Sequence, residues 1–148
     1  DENDVRPMGR GAAWVKWINL KWDDRVIEVA VVGDDNKFVF IVTEKWLGKI
    51  TSIEEYRNQK RGGSWVKAMA VTPKTWKLVS AKILTEDERK DADVILISKA
   101  GQTIRINLKW VRKTSRVTQW VILTKLKNKT DMIVRASIVR DGEEEEEI

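Results

Sequence analysis

Phe38-Val39-Phe40-Ile41-Val42-Thr43-Glu44-Lys45-Trp46 is met again as Asp93-Val94-Ile95-Leu96-Ile97-Ser98-Lys99-Ala100-Gly101, and the fold is read outward from this pair. Each copy is an apolar, β-branched run closed by a short polar break, the pattern of a strand entering a turn. The register sets Trp46 against Gly101, a shift of 55 residues (46 to 101). A second segment flanks the first and occurs three times. It reads Arg10-Gly11-Ala12-Ala13-Trp14-Val15, then Arg61-Gly62-Gly63-Ser64-Trp65-Val66, then Arg116-Val117-Thr118-Gln119-Trp120-Val121. The Trp-to-Trp spacings are 51 (14 to 65) and 55 (65 to 120). Periods of that size mark blades or another repeat architecture.

Strand signals fill the rest of the chain. They fall at 26–32, ending in Gly33-Asp34-Asp35-Asn36, and at 37–43, 49–53, 66–71, 78–84, 94–98, 103–108, 121–126 and 132–139. Residues 94–98 and 103–108 read as a hairpin, and 85–91 as a charged loop or short helical turn. No long 3.6-residue apolar period is present. Short, evenly spaced strands predict an all-β propeller, barrel or sandwich.

Composition removes whole classes of chemistry. With no Cys and no His there is no thiol nucleophile, no Ser-His-Asp triad and no ordinary zinc site. The acidic groups Asp23-Asp24, Asp34-Asp35 and Glu86-Asp87-Glu88 read as solvated turns, and no metal or cofactor is expected. The absence of cysteine fits a cytosolic protein. No apolar run approaches the ~20 residues of a membrane span. The start is acidic, without a signal-peptide pattern or an initiator Met, so the chain reads as a fragment or processed product.

The net charge of +5 hides an asymmetry. Residues 141–148 hold six acids and no bases. Setting those aside leaves 28 bases against 17 acids in residues 1–140, a balance of +11. A basic body with an acidic tail predicts a polyanionic partner and a tail that competes with it; a solubilising, disordered tail is the plainer alternative.

Several segments resemble the C-terminal domain of the A subunit of DNA gyrase. Val5-Arg6-Pro7-Met8-Gly9-Arg10 resembles that family's lead-in to a blade, and Trp14-Val15-Lys16-Trp17-Ile18-Asn19-Leu20 resembles its first strand. Val42 to Lys49, Glu55-Tyr56, Leu96 to Arg105 and Thr118 to Leu123 are similar to further family stretches. Gln59-Lys60-Arg61-Gly62-Gly63-Ser64-Trp65 resembles its basic box. The resemblance implies the last two to three blades of a six-bladed β-pinwheel, a propeller-like disk of four-stranded blades that exchange strands. Repeats would run over about 5–60, 61–111 and 112–140, with 141–148 as a tail. It also implies binding and bending of duplex DNA on a basic rim, in support of negative supercoiling. The partners implied are duplex DNA, the gyrase B subunit, and the rest of the gyrase A subunit, in a cytoplasmic, nucleoid-associated enzyme. Self-association of the fragment through open strands is a further expectation.

Wrapping requires phosphate contacts rather than base readout. Lys60 and Arg61 supply charge, and Gly62 and Gly63 let backbone N–H groups approach a phosphate. Gln59 opens the same loop. Arg10 and Arg116 hold the equivalent repeat position, with Lys113 three residues before Arg116. Lys49 and Arg105 lie on repeat-equivalent strands and face either the rim or simply the polar side of a strand. Tyr56, the sole tyrosine, matches a non-catalytic family position, so this chain alone is expected to catalyse nothing. The alternatives are the C-terminal domain of the topoisomerase IV A subunit and a propeller-like protein-interaction module.

The tryptophans depart from the resemblance. Eight Trp stand beside two Phe and one Tyr. Trp14, Trp17, Trp46, Trp65, Trp76 and Trp120 fall where the family has glycine. Trp46 does so on internal grounds too, through Gly101. Such sites call for positive φ or a close backbone approach. A misread UGA codon or deliberate engineering would each put Trp selectively at such sites. Genuine Trp would strain the turns.

Overall fold

The computed structural model describes residues 7–11, 18–21, 24–59, 66–69, 72–118, 120–125, 128 and 130–140. Seven strands form within them: β1 (Asn36–Thr43), β2 (Leu47–Ser52), β3 (Leu78–Thr85), β4 (Asp93–Ser98), β5 (Thr103–Asn107), β6 (Val121–Ile122) and β7 (Ile133–Val139). The helix α1 (Glu86–Asp91) joins β3 to β4. It starts on a capping box: the Thr85 hydroxyl accepts from the Glu88 N–H, and the Glu88 carboxylate accepts from the Thr85 N–H. Single turns of 3-10 helix lie at Ile53–Glu55 and Leu108–Trp110.

The strands make two antiparallel sheets, ordered β3-β1-β2-β6 and β5-β4-β7. Their ladders repeat one another. Ile41 pairs with Lys49 on one side and Ala81 on the other, and Leu96 pairs with Ile104 and Ala136. Each of these positions is 55 residues from its counterpart (41 to 96, 49 to 104, 81 to 136). Even the register shifts recur, between Val42 and Thr43 and between Ile97 and Ser98. The register read from the sequence is therefore the structural one. It places β3-β1-β2 on β7-β4-β5. What differs is the fourth strand. β6 crosses from the third Arg…Trp-Val copy to pair with β2, whereas β5 has no outer partner among the described residues.

The core lies between the sheets. Phe38, Phe40, Val42, Ile50 and Leu84 of the first sheet pack with Val94, Leu96, Ile133 and Ala136 of the second, sealed by Ala92, Leu108 and Val111. Shifted by 55, Phe40 corresponds to Ile95 and Ile41 to Leu96. Because strand side chains alternate, the two sheets present opposite faces to this core. One blade's front packs on the next blade's back, the head-to-tail stacking of a propeller. Each fully buried Leu, Ile, Val or Phe contributes about 1.5–3 kcal/mol.

Two expected strands fare differently. Residues 26–32 form no ladder, and Val29 and Val31 are 83% and 91% exposed. A β-branched run suits a pleated surface, but a strand needs an edge to pair with. Here the run meets β3 through one side chain. Glu28 accepts from Ser80 Oγ at 2.9 Å and Lys82 Nζ at 2.6 Å. Residues 66–69 are likewise irregular, and 70–71 lie outside the described residues.

Candidate nucleic-acid interface

The expected basic loops are partly in view. Lys60, Arg61, Gly62 and Gly63 lie outside the described residues, as do Trp14, Trp17, Trp65 and the tail 141–148. Gln59, on the near flank of that loop, is exposed, and so is Arg10 in its own turn.

The third copy is described at its opening, residues 116–118. Residues 112–114 run beside β2: Ile50 N–H donates to Arg112 O at 3.3 Å, and Thr114 N–H donates to Ile50 O at 2.9 Å. This sets Lys113 on the surface with its ammonium 4.7 Å over the Phe38 ring. The turn after it is held from three directions. Arg116 N–H donates to Glu55 Oε2 at 2.7 Å, and the Arg116 guanidinium donates to Lys67 O at 2.8 Å. From below, Lys49 Nζ donates to Arg116 O, to Ser115 O at 3.3 Å and to Thr118 O at 3.4 Å. Lys67 follows Val66, the last residue of the second copy. The structure thus joins the end of one basic loop to the start of the next, with Arg112 and Lys113 exposed in the segment that leads into Arg116.

Lys49 corrects the sequence reading. It is neither a rim cation nor the polar side of a strand, because it is fully buried. β2 is an interior strand, and Ser115, Arg116 and Thr118 lie against the Lys49 ammonium, with the Trp120 ring 5.1 Å from Nζ. Burial pushes its ammonium below the ordinary lysine value, against the pull of Glu55 and with the repulsion of Arg116. Its charge serves the loop's backbone carbonyls. Lys49 therefore positions Arg116 from behind.

Arg105 is exposed on the edge strand β5 and ion-paired to Asp93, which also accepts from Asn107 Nδ2 at 2.7 Å. The guanidinium and Asn107 hold the Asp93 carboxyl below the usual range. Arg105 lies on the second sheet, apart in the chain and in pairing from the Lys113–Arg116 segment. Tyr56 is half-buried, and burial pushes its hydroxyl up. The sequence reading named Glu55-Tyr56 as a matching motif but missed Glu55 as an anchor. The signal was present, an acid just upstream of a basic loop, but nothing in one sequence pairs residue 55 with residue 116. Among the described residues no group of His, Cys, Asp or Glu could hold a metal ion. No helix among them is long and apolar enough to cross a membrane.

Comparison with known proteins follows the same repeat. The family model "DNA gyrase C-terminal domain, beta-propeller" matches residues 1–33, 37–84 and 92–140. The DNA gyrase A subunit of Ureaplasma parvum is 37% identical over 132 residues, which span 89% of this chain and 15% of that protein. The DNA gyrase A subunit of Helicobacter pylori is 36% identical over 145 residues, 98% of this chain and 17% of that protein. The chain thus spans roughly a sixth of the relatives it matches. Among solved structures, a DNA gyrase A C-terminal domain aligns with a TM-score of 0.61 and 21% identity, over 71% of this chain and 34% of that one. The C-terminal domain of DNA topoisomerase IV aligns with a TM-score of 0.79 and 16% identity, over 94% and 42%. At those identities the two structures speak for the fold alone, while the family model spans both sheets and the segment before them. The chain belongs to the DNA gyrase C-terminal domain family of beta-propellers.

Proposed function

We propose that this chain binds duplex DNA without sequence preference and bends it along its basic loops. It would do so as the C-terminal part of a gyrase A subunit in an ATP-dependent type IIA topoisomerase, supporting negative supercoiling. The observation that carries this reading is Arg116, clamped against the exit of the second basic loop with exposed Arg112 and Lys113 just upstream of it, in a member of this family. A clamped guanidinium-bearing turn loses less freedom on meeting a phosphate than a floppy one. Gln59, Lys60, Arg61, Gly62 and Gly63 would extend the track, with Arg10 and Arg105 as further phosphate contacts. Bending a short site costs roughly 1–6 kcal/mol, which several such contacts together offset.

The chain itself is assigned no catalytic step. Its partners would be duplex DNA, the gyrase B subunit, and the rest of the gyrase A subunit, at the nucleoid in the cytoplasm. The division into repeats at 5–60, 61–111 and 112–140, with a competing acidic tail, belongs to the same proposal.

The test is duplex-DNA affinity across a salt series, for the whole chain and for a version ending at Arg140. A steep log–log slope is expected, about −0.9 for each phosphate neutralised. Removing residues 141–148 tightens binding. Flat or absent binding by folded protein overturns the reading and favours a protein-interaction module. The fold is shared with the topoisomerase IV domain, so the two enzymes are separated by activity. Joined to the rest of gyrase, a gyrase segment supports negative supercoiling, and a topoisomerase IV segment does not.

A further inference from the structure

Two described residues other than glycine have positive φ, and both are tryptophan: Trp46 at +50° and Trp76 at +56°. This left-handed region is populated by glycine at no steric cost and is a rare, strained place for a bulky side chain. Four tryptophans are described, so half of them sit there.

The first site has an internal reference. Trp46 closes the β1–β2 turn, its N–H donating to Thr43 O at 3.1 Å. Gly101 closes the β4–β5 turn, its N–H donating to Ser98 O at 3.0 Å, at φ +81°. The surroundings match as well. Glu44 N–H donates to Lys77 O at 3.0 Å, and Lys99 N–H donates to Met132 O at 2.8 Å, each partner again 55 residues on. The connections are residues 44–46 and 99–102, and in each the third residue past the first strand is left-handed and donates back to that strand's last carbonyl, a place where glycine is the favoured residue. One copy has glycine and the other has tryptophan.

The second site stands on its own turn. In Thr72-Pro73-Lys74-Thr75-Trp76, the N–H groups of Thr75 and Trp76 both donate to Thr72 O, at 3.1 and 2.9 Å. A chain that coils for one turn and leaves through a left-handed residue ends on glycine by preference. The ring gains little there: Trp76 is 39% exposed, touched by Lys45 Nζ at 4.4 Å.

Genetic codes differ in whether UGA is read as tryptophan or glycine. A sequence written with the first reading, for a cell that uses the second, acquires tryptophan at glycine positions and nowhere else. We propose that residues 46 and 76 are glycine in the protein its own cell makes, encoded by UGA. The two turns then carry no strain, and Lys45 loses the indole while its ammonium still donates to Pro73 O at 3.2 Å.

The test reads the gene and then the protein. Codons 46 and 76 are expected to be UGA, and UGG at either overturns the proposal. Cleavage after glutamate of the protein from its native cell yields the peptides 45–54 and 56–86. Tandem mass spectra are expected to show glycine at 46 and at 76, with fragment ions separating 76 from 65. A tryptophan mass at either position overturns the proposal whatever the codons say. Neither readout depends on folding or on DNA binding.

Discussion

Hairpins β1–β2 and β4–β5 share one register and one turn, yet the rung holding Lys49 in the first holds Ile104 in the second. Next along, Ile50 is replaced by Arg105. The two cations that look equivalent in sequence are thus one rung apart and point to opposite faces. Position in the sheet does the rest. β2 lies between β1 and β6, so Lys49 is covered and must find internal acceptors, whereas β5 is an edge among the described residues and Arg105 reaches water. A structural repeat fixes where a side chain points, and its neighbours decide what that direction costs.

Removing each charge in turn separates the two positions most strongly. Lys49→Met should lower stability by about 3 kcal/mol, because the carbonyls of Ser115, Arg116 and Thr118 lose their donor in a buried site. Urea unfolding reads the difference. Arg105→Gln should barely move the midpoint, as expected of an exposed pair. Equal losses at both positions would refute the distinction between buried positioning and surface pairing.

The rung before these sharpens it further. Gly48 corresponds to Thr103, yet a β-carbon at Gly48 meets Leu123 Cδ1 at 2.5 Å and Ile41 O at 2.9 Å. The backbone contact has little room to give. Gly48→Ala should therefore cost about 1–3 kcal/mol by the same unfolding measurement. Thr103 already carries that carbon on the open edge. If Gly48→Ala is neutral, the sheet edge at β6 is looser than the packing of Leu123 implies.

These contrasts also explain what was legible in advance. The strands β1, β2, β3, β4, β5 and β7 and the pairing of Trp46 with Gly101 were readable, because alternation and turn chemistry are local. The failure of residues 26–32 to form a ladder was not, since pairing depends on an edge elsewhere in space. Lys113 and Arg116 were found as cations, but the clamp on Arg116 was invisible: Glu55, Lys49 and Lys67 reach it across 61, 67 and 49 residues. Lys49 misled because a basic residue in a strand is usually at the surface, and only a cage of carbonyls makes its burial tolerable.

The open edge gives a smaller effect. Charge on an unpaired strand guards it against pairing with another copy. Arg105→Val should increase concentration-dependent association in sedimentation velocity, and Lys113→Val, away from that edge, should not. If both variants stay monomeric, the twist of β5 or the pairing of Asp93 with Asn107 is protection enough.

The smallest expected effect concerns the link between the two hairpins, and it appears only in acid. Glu88 caps α1, accepting from Thr85 N–H at 2.8 Å and from Arg140 Nε at 2.6 Å. Burial works to raise its carboxyl, but these donors outweigh it, and the folded value lies below the ordinary 4.5. The unfolded chain therefore takes up this proton first as pH falls. The stability that Glu88 contributes is complete above pH 4.5 and is lost as pH descends through the lower folded value. Glu88→Gln keeps an oxygen for the Thr85 N–H but discards the charge facing Arg140. At neutral pH it should cost about 0.5 kcal/mol, since Arg140 is half exposed. The discriminating result is the slope. The variant's stability should fall less steeply than the parent's below pH 4.5, with the remaining fall carried by Asp93 and Asp131, whose carboxyls are also held low. Parallel curves would mean that α1 is already frayed before Glu88 is protonated, so that the two sheets are joined by their shared core and not by the cap between them.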